Sequence, residues 1–216
     1  MQINEGFAMT MESLKNAIGV IAEKIDENKE YLIQLDQQNG DGDLGISMSS
    51  GIHAVQDYLA SNGETDLGKT LNRCGDFFNE AAPSSLGTII AFFFKGMAKS
   101  LKGKENCSVL ELAEGMQAGL DNVMQKAKSK PGEKTILDSL TPGVAALREY
   151  AGEPDAFTRA ARAAREGSEK TRRMKAVWGR AAYYGENSVG ILDGGSVVGA
   201  LVFEALDEMK RNEEEE

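Results

Sequence analysis

The sequence predicts an all-α fold, a single-domain antiparallel barrel or bundle of about eight helices over residues 1–212. Three observations carry this. Apolar residues recur at three- and four-residue spacing along nearly the whole chain. The alternating pattern of a half-buried strand is absent. No long polar linker divides the 216 residues, so the helices pack as neighbours in one domain.

The elements follow in order. A helix over 11–35 places Leu14, Ala17, Ile18, Ile21, Ala22, Ile25 and Leu32 on one face, with Thr10 as its cap. A helix over 44–61 carries the lone histidine, His53, read as a partly buried or surface imidazole. The helix over 66–80 starts at Asp66. The next covers 84–101. Its Ile89–Phe94 run resembles a buried strand, but Ser84-Ser85-Leu86-Gly87 before it and Lys95-Gly96-Met97-Ala98 after it continue better as a helix buried on most sides. Ser108, three residues before Glu111, opens a helix over 108–128 in a capping-box pattern. Helices over 135–150, 155–178 and 188–211 complete the set, and the acidic tail Glu213–Glu216 is expected to be disordered.

Composition narrows the function classes. With 34 acidic against 24 basic residues the net charge is −10, which repels nucleic acid and anionic lipid. No apolar run approaches the ~20 residues of a membrane span. The start, Met1-Gln2-Ile3-Asn4-Glu5, lacks the basic and apolar regions of a signal peptide. Cys74 and Cys107 fit neither a disulfide framework nor a zinc spacing. A cytoplasmic protein is expected. With one histidine and no nucleophile-elbow sequence, its chemistry falls to carboxylates, hydroxyls, backbone amides and metal.

Four interruptions are rich in Gly, Asp, Ser or Pro: Gln37–Gly45, Ala81–Thr88, Lys128–Thr135 and Arg180–Ser196. In an up-and-down bundle they fall after alternate helices and converge on one rim, where a site belongs. The first holds Asp36, Asp41 and Asp43 among small residues. Mutually repelling carboxylates call for a hard cation, Mg²⁺ or Ca²⁺. An EF-hand reading starting at Asn39 fails, because Leu44 stands where Gly is needed and Ser50 where the bidentate Glu belongs. Alone, the loop is also consistent with a hydrated turn in which Asp43 caps the next helix. Pro83-Ser84-Ser85-Leu86-Gly87-Thr88 offers hydroxyls and free N–H groups at a helix start, a phosphate cradle or an ordinary cap. In the third loop Lys134 is a candidate for offsetting phosphate charge. The fourth supplies Arg180 and several glycines for close backbone approach. Walker A and kinase signatures are absent.

Asp36-x4-Asp41-Gly-Asp43, then Lys130-Pro-Gly-Glu-Lys-Thr-Ile-Leu-Asp138, then Gly179-Arg-Ala-x-Tyr-x-Gly-Glu-x-Ser188 together resemble the nucleotide-binding L subunit of the dihydroxyacetone kinases, the DhaL or Dak2 domain. The resemblance runs from about residue 10 to 208. It implies an eight-helix antiparallel barrel holding ADP or ATP at one rim through two Mg²⁺ ions on Asp36, Asp41 and Asp43. The implied nucleotide-binding set is Ser84, Ser85, Leu86, Gly132, Lys134, Thr135, Arg180, Asp193 and Gly194, with no catalytic side chain assigned. It implies phosphoryl transfer to a small ketose held by a separate K subunit, with a phosphohistidine carrier recharging ADP in some systems. A non-catalytic ADP-Mg module regulating a partner is the second reading. The sequence departs from the family pattern at Leu44, at Ala82-Pro83-Ser84-Ser85-Leu86 and at Asp193-Gly194-Gly195-Ser196, which bears on nucleotide exchange and the choice of ketose.

Overall fold

A computed structural model describes residues 7–215. The order is β1 (Ala8–Thr10), α1 (Met11–Glu27), α2 (Lys29–Asp36), α3 (Leu44–Ser61), α4 (Leu67–Ala81), α5 (Ser85–Ser100), β2 (Asn106–Ser108), α6 (Val109–Ala127), α7 (Leu137–Glu149), α8 (Ala156–Lys170) and α9 (Gly194–Glu215). Short 3₁₀ turns occupy Thr171–Arg173 and Arg180–Ser188. The fold is all-α. No helix among the described residues is long and apolar enough to cross a membrane.

Helix starts follow their caps. The side chains of Thr10, Asp66, Ser84 and Ser108 accept the N–H groups of Ser13, Lys69, Gly87 and Glu111. Ser108 and Glu111 complete the expected capping box. The segment expected as one helix over 11–35 is split at Asn28. The Asn28 amide donates to the Lys24 carbonyl at 2.8 Å, and this back-bonding ends α1 before α2 resumes. The nine segments therefore supply eight wall positions.

Four other features differ from expectation. β1 and β2 pair antiparallel, Met9 opposite Cys107, and three residues are too few to show alternation in sequence. The helix expected over 155–178 ends at Lys170, and the one expected from 188 begins at Gly194. Tertiary bonds explain both: the Thr171 carbonyl is taken by Lys134, Ser188 Oγ accepts from Ala176 N, and Asp193 caps α9. The tail expected to be disordered is helical through Glu215, since glutamate is a good helix former and no Gly or Pro intervenes. Glu216 lies outside the described residues.

Sequential helices pack antiparallel, and α9 returns against α1 to close the ring. Small residues set the spacing. A side chain on Gly96 of α5 would meet the Ala118 carbonyl of α6 at 2.5 Å, so these backbones touch. The interior is apolar and encloses a cavity of about 130 Å³ lined by residues such as Ile18, Met48, Phe94, Met116 and Val202. Alternation carries the ends of α2, α4, α6 and α8 to one rim, with the four interruptions expected there.

Candidate nucleotide and metal site

The first rim loop is shaped by Asp36. Its Oδ2 accepts from Gly42 N at 2.8 Å and Asp43 N at 3.1 Å, curling the chain back over the end of α2. Gly42 takes a φ of 76°, a left-handed conformation that suits glycine. Asp43 stands at the N-cap of α3 yet caps nothing with its side chain. The result is a cluster in which carboxylate oxygens of Asp36, Asp41 and Asp43 all lie within 4.8 Å of one another. Partial burial first, then the charges of Asp41 and Asp36, push the Asp43 carboxyl above its ordinary range. An oxygen-only, strongly negative donor set fits a hard divalent cation such as Mg²⁺. Across the rim, Arg180 pairs with Asp41 at 2.6 Å, joining the first and fourth loops.

Beneath the cluster lies a buried polar network. Asp193 caps α9, its Oδ2 accepting from Ser196 N at 2.6 Å, while Asp193 N donates to Thr171 Oγ1. Burial pushes the Asp193 carboxyl up to about 7; the Ser196 amide and Lys134 oppose this, and Asp138 and Asp36 add to it. Ser168 and Ser196 hydroxyls meet at 2.8 Å. Gly194 lies against Leu44, where a Cβ would come within 2.4 Å of the leucine. The start of α9 is thus pressed onto the first turn of α3, directly beside the aspartates.

Lys134 corrects the sequence reading. Expected to offset phosphate charge at the rim, it is 3 % exposed, and its ammonium donates to the Thr171 and Ile191 carbonyls at 2.8 and 2.5 Å. Burial holds its pKa below the ordinary lysine value. It ties the third loop to the segment entering α9 and presents no free charge to a ligand. Asp138 does the complementary work: its two oxygens accept from Gly132 N and Thr135 N, folding the third loop over the first turn of α7. Gly132 is exposed with φ 93°, and Thr135 Oγ1 accepts from Leu137 N.

The second loop shares the rim through the antiparallel course of α4 and α5. No hydrogen bond or ion pair joins it to the other three among the described residues. Ser84 caps α5, Ser85 is exposed and Leu86 is half-buried against the core.

Sequence reasoning missed four features. The Trp178 indole donates to Glu133 Oε2 at 2.5 Å, latching the fourth loop to the third. Val177, Trp178, Tyr183, Tyr184 and Val189 form an exposed apolar stretch around Arg180. The hydroxyls of Ser168, Thr171 and Ser196 sit in helix ends, where nothing in sequence separates them from solvated residues. Asp138 alone had a signal, as the last residue of the Lys130–Asp138 motif.

Residues 38–208 match the DAK2 domain family. The chain is 33% identical over 184 residues to the ADP-binding subunit DhaL of PEP-dependent dihydroxyacetone kinase 1 from Listeria innocua, covering 85% of this chain and 89% of that protein. It is 31% identical over 171 residues to the ADP-binding subunit DhaL of the PEP-dependent dihydroxyacetone kinase of Escherichia coli, covering 77% and 81%. The crystal structure of the dihydroxyacetone kinase from C. freundii in complex with AMP-PNP and Mg²⁺ superposes with a TM-score of 0.75 at 20% identity. That match covers 96% of this chain but 36% of the longer one, and at this identity it speaks for the fold alone.

Proposed function

This chain belongs to the DAK2 domain family, and from that premise we propose that it is the nucleotide-carrying subunit of a dihydroxyacetone-type kinase. In this reading residues 1–212 form a DhaL-like unit that passes a phosphoryl group from Mg-ATP to a small ketose held by a separate K subunit. The observation that carries the reading is the meeting of three carboxylates within 4.8 Å with Arg180 paired across them on one rim.

Asp36, Asp41 and Asp43 would hold Mg²⁺, two ions in the family's pattern, and bound metal supplies charge to offset the phosphates. Arg180, leaving Asp41, would turn its guanidinium to phosphate oxygens. The first-turn N–H groups of α5, near Ser84, Ser85 and Leu86, and of α9, at Gly194, would donate to anionic oxygens with the helix dipole behind them. Gly132 and Thr135 would border the nucleotide, on a loop held by Lys134 and Asp138. In this reading no described residue binds a free sugar covalently, and the acceptor and any general base come from the partner. Bound ADP would be recharged by ATP exchange or by a phosphocarrier protein. A cytoplasmic location belongs to the same reading.

The test is reconstitution. The purified chain with Mg-ATP and a panel of triose and tetrose ketoses should be inactive, and activity should appear when a K subunit is added. Robust phosphorylation by the chain alone would overturn the division of labour. Nucleotide binding with no turnover in the mixture would favour the regulatory module instead.

A further inference from the structure

We propose that the groove between the start of α4 and the end of α5 is a second anion-binding site, taking a small, multiply charged phosphate compound. It lies at the end of the barrel opposite the aspartate rim, about 22 Å away by the length of α4. It is therefore separate from the nucleotide's place, and the inference does not rest on the kinase reading.

The groove measures about 510 Å³ and is lined by Lys69, Arg73, Lys99 and Lys102, with Glu64 as its one carboxylate. Four cations around one concavity stand out in a chain of net charge −10. Helix dipoles account for half of them. Lys99 lies in the last turn of α5 and Lys102 just beyond it, where cations are favoured. Lys69 and Arg73 lie in the first two turns of α4, where the same field disfavours them. An anionic occupant accounts for all four.

The donors are also prepared. Arg73 is pinned by Asp76 at 3.1 Å and lies 5.0 Å over the Phe77 ring, which itself stacks on Tyr58 at 4.7 Å. Lys69 is paired with Glu64 at 3.2 Å, a contact that a more strongly charged anion would replace. The side chains of Lys99, Lys102 and Asn72 make no hydrogen bond or ion pair among the described residues. Gly68 lets α4 press on α5, since a Cβ there would meet the Ala98 carbonyl and Lys102 N at 2.6 Å. This brings Lys69 and Lys102 onto one short stretch of floor. The volume falls within the range of small-ligand sites, roughly 300–1,000 Å³, and exceeds what bare phosphate fills. The Tyr58 ring supplies a face for an organic body.

Inorganic pyrophosphate is the simplest reagent for the test, titrated into the full chain in EDTA at low salt so that metal-dependent rim binding is silent. Calorimetry should show saturable binding, with amide shifts at Gly68–Arg73 and Lys99–Lys102. The pair Lys99→Glu and Lys102→Glu should weaken it by about tenfold or more, while Asp41→Asn leaves it unchanged. Added salt should weaken it further. The charge-reversed side chains are exposed, and a far-UV melt checks that the variant folds. Lys99→Ala alone serves as the milder variant, with a smaller loss expected. The proposal fails if binding is absent, if shifts are confined to the rim loops, if the reversed variant binds as well as the parent, or if an acidic peptide binds where pyrophosphate does not.

Discussion

Asp41 and Asp43 differ from ordinary surface carboxylates in being held against like charge. Replacing either with Asn should abolish Mg-dependent ADP binding in calorimetry, a loss beyond the roughly 10–100-fold typical of an outer-shell partner. Relief of repulsion should leave the metal-free variant at least as heat-stable as the parent. Undiminished affinity in both variants would contradict the assignment. The clustering of the three aspartates was legible in sequence because it is set by residue type and short spacing within one loop. Lys134 was not, because its fate depends on two carbonyls 37 and 57 residues away. Its buried ammonium predicts a stability phenotype. Lys134→Met strips the Thr171 and Ile191 carbonyls of their donor and should cost about 1–3 kcal/mol in denaturant unfolding. A variant as stable as the parent, with nucleotide affinity lost, would restore Lys134 to the ligand.

Helices α1 and α3 are joined by the one histidine, which makes their contact pH-dependent. His53 Nε2 meets Asp26 Oδ2 at 2.8 Å, and Asp26 also accepts from Ser49 Oγ at 2.7 Å. The hydrogen bond to Asp26 raises the His53 pKa above 6.5, and the bonds from Ser49 and His53 lower that of Asp26 below 3.8. The histidine's contribution is complete below 6.5 and fades as pH rises through its raised value. The aspartate's is complete above 3.8 and fades as pH falls through its lowered value. The melting advantage of the parent over His53→Ala should therefore peak between those two pH values. With both groups nearly half exposed it should stay below about 1 kcal/mol, and a flat difference across pH would dismiss the clip. The loop latch offers a second readout. Trp178 is the only tryptophan and lies two residues from Arg180. In the proposed reading Mg²⁺ would compete with Arg180 for Asp41, so tryptophan emission should change saturably with Mg²⁺ in the parent and stay flat in Asp43→Asn. Much at this scale was readable, since caps at Thr10, Asp66 and Ser108 declare helix starts locally. The break at Asn28 and the end of α8 were not, because bonds outside the local pattern decide them.

At the scale of the molecule, the chain divides its surface by task. Six of the eight exposed large apolar side chains among the described residues, Ile46, Val177, Trp178, Tyr183, Tyr184 and Val189, lie on the first turn of α3 or in the loop around Arg180, beside the aspartates. Solvated proteins scatter such residues singly, and a cluster rich in Trp and Tyr has the composition of a binding hot spot. In the proposed kinase reading the acceptor hydroxyl has to come within about 3–3.5 Å of the phosphate, so a partner carrying the sugar would cover this rim. Charge reversal at Lys134 is a poor test of that contact, since the side chain is buried. Tyr183, 91 % exposed, is a better one. Tyr183→Glu removes an aromatic anchor and sets a carboxylate in the interface without touching the core. It should leave the fold and Mg-ADP affinity unchanged and lower kcat/KM of the reconstituted mixture by about 10–100-fold, in line with the loss of one hot-spot residue. The loss should shrink as the K subunit is raised toward saturation, because the defect is in association. A drop that persists at saturating partner with nucleotide affinity intact would mean that Tyr183 acts on the transfer step, and no drop at all would remove the loop from the interface.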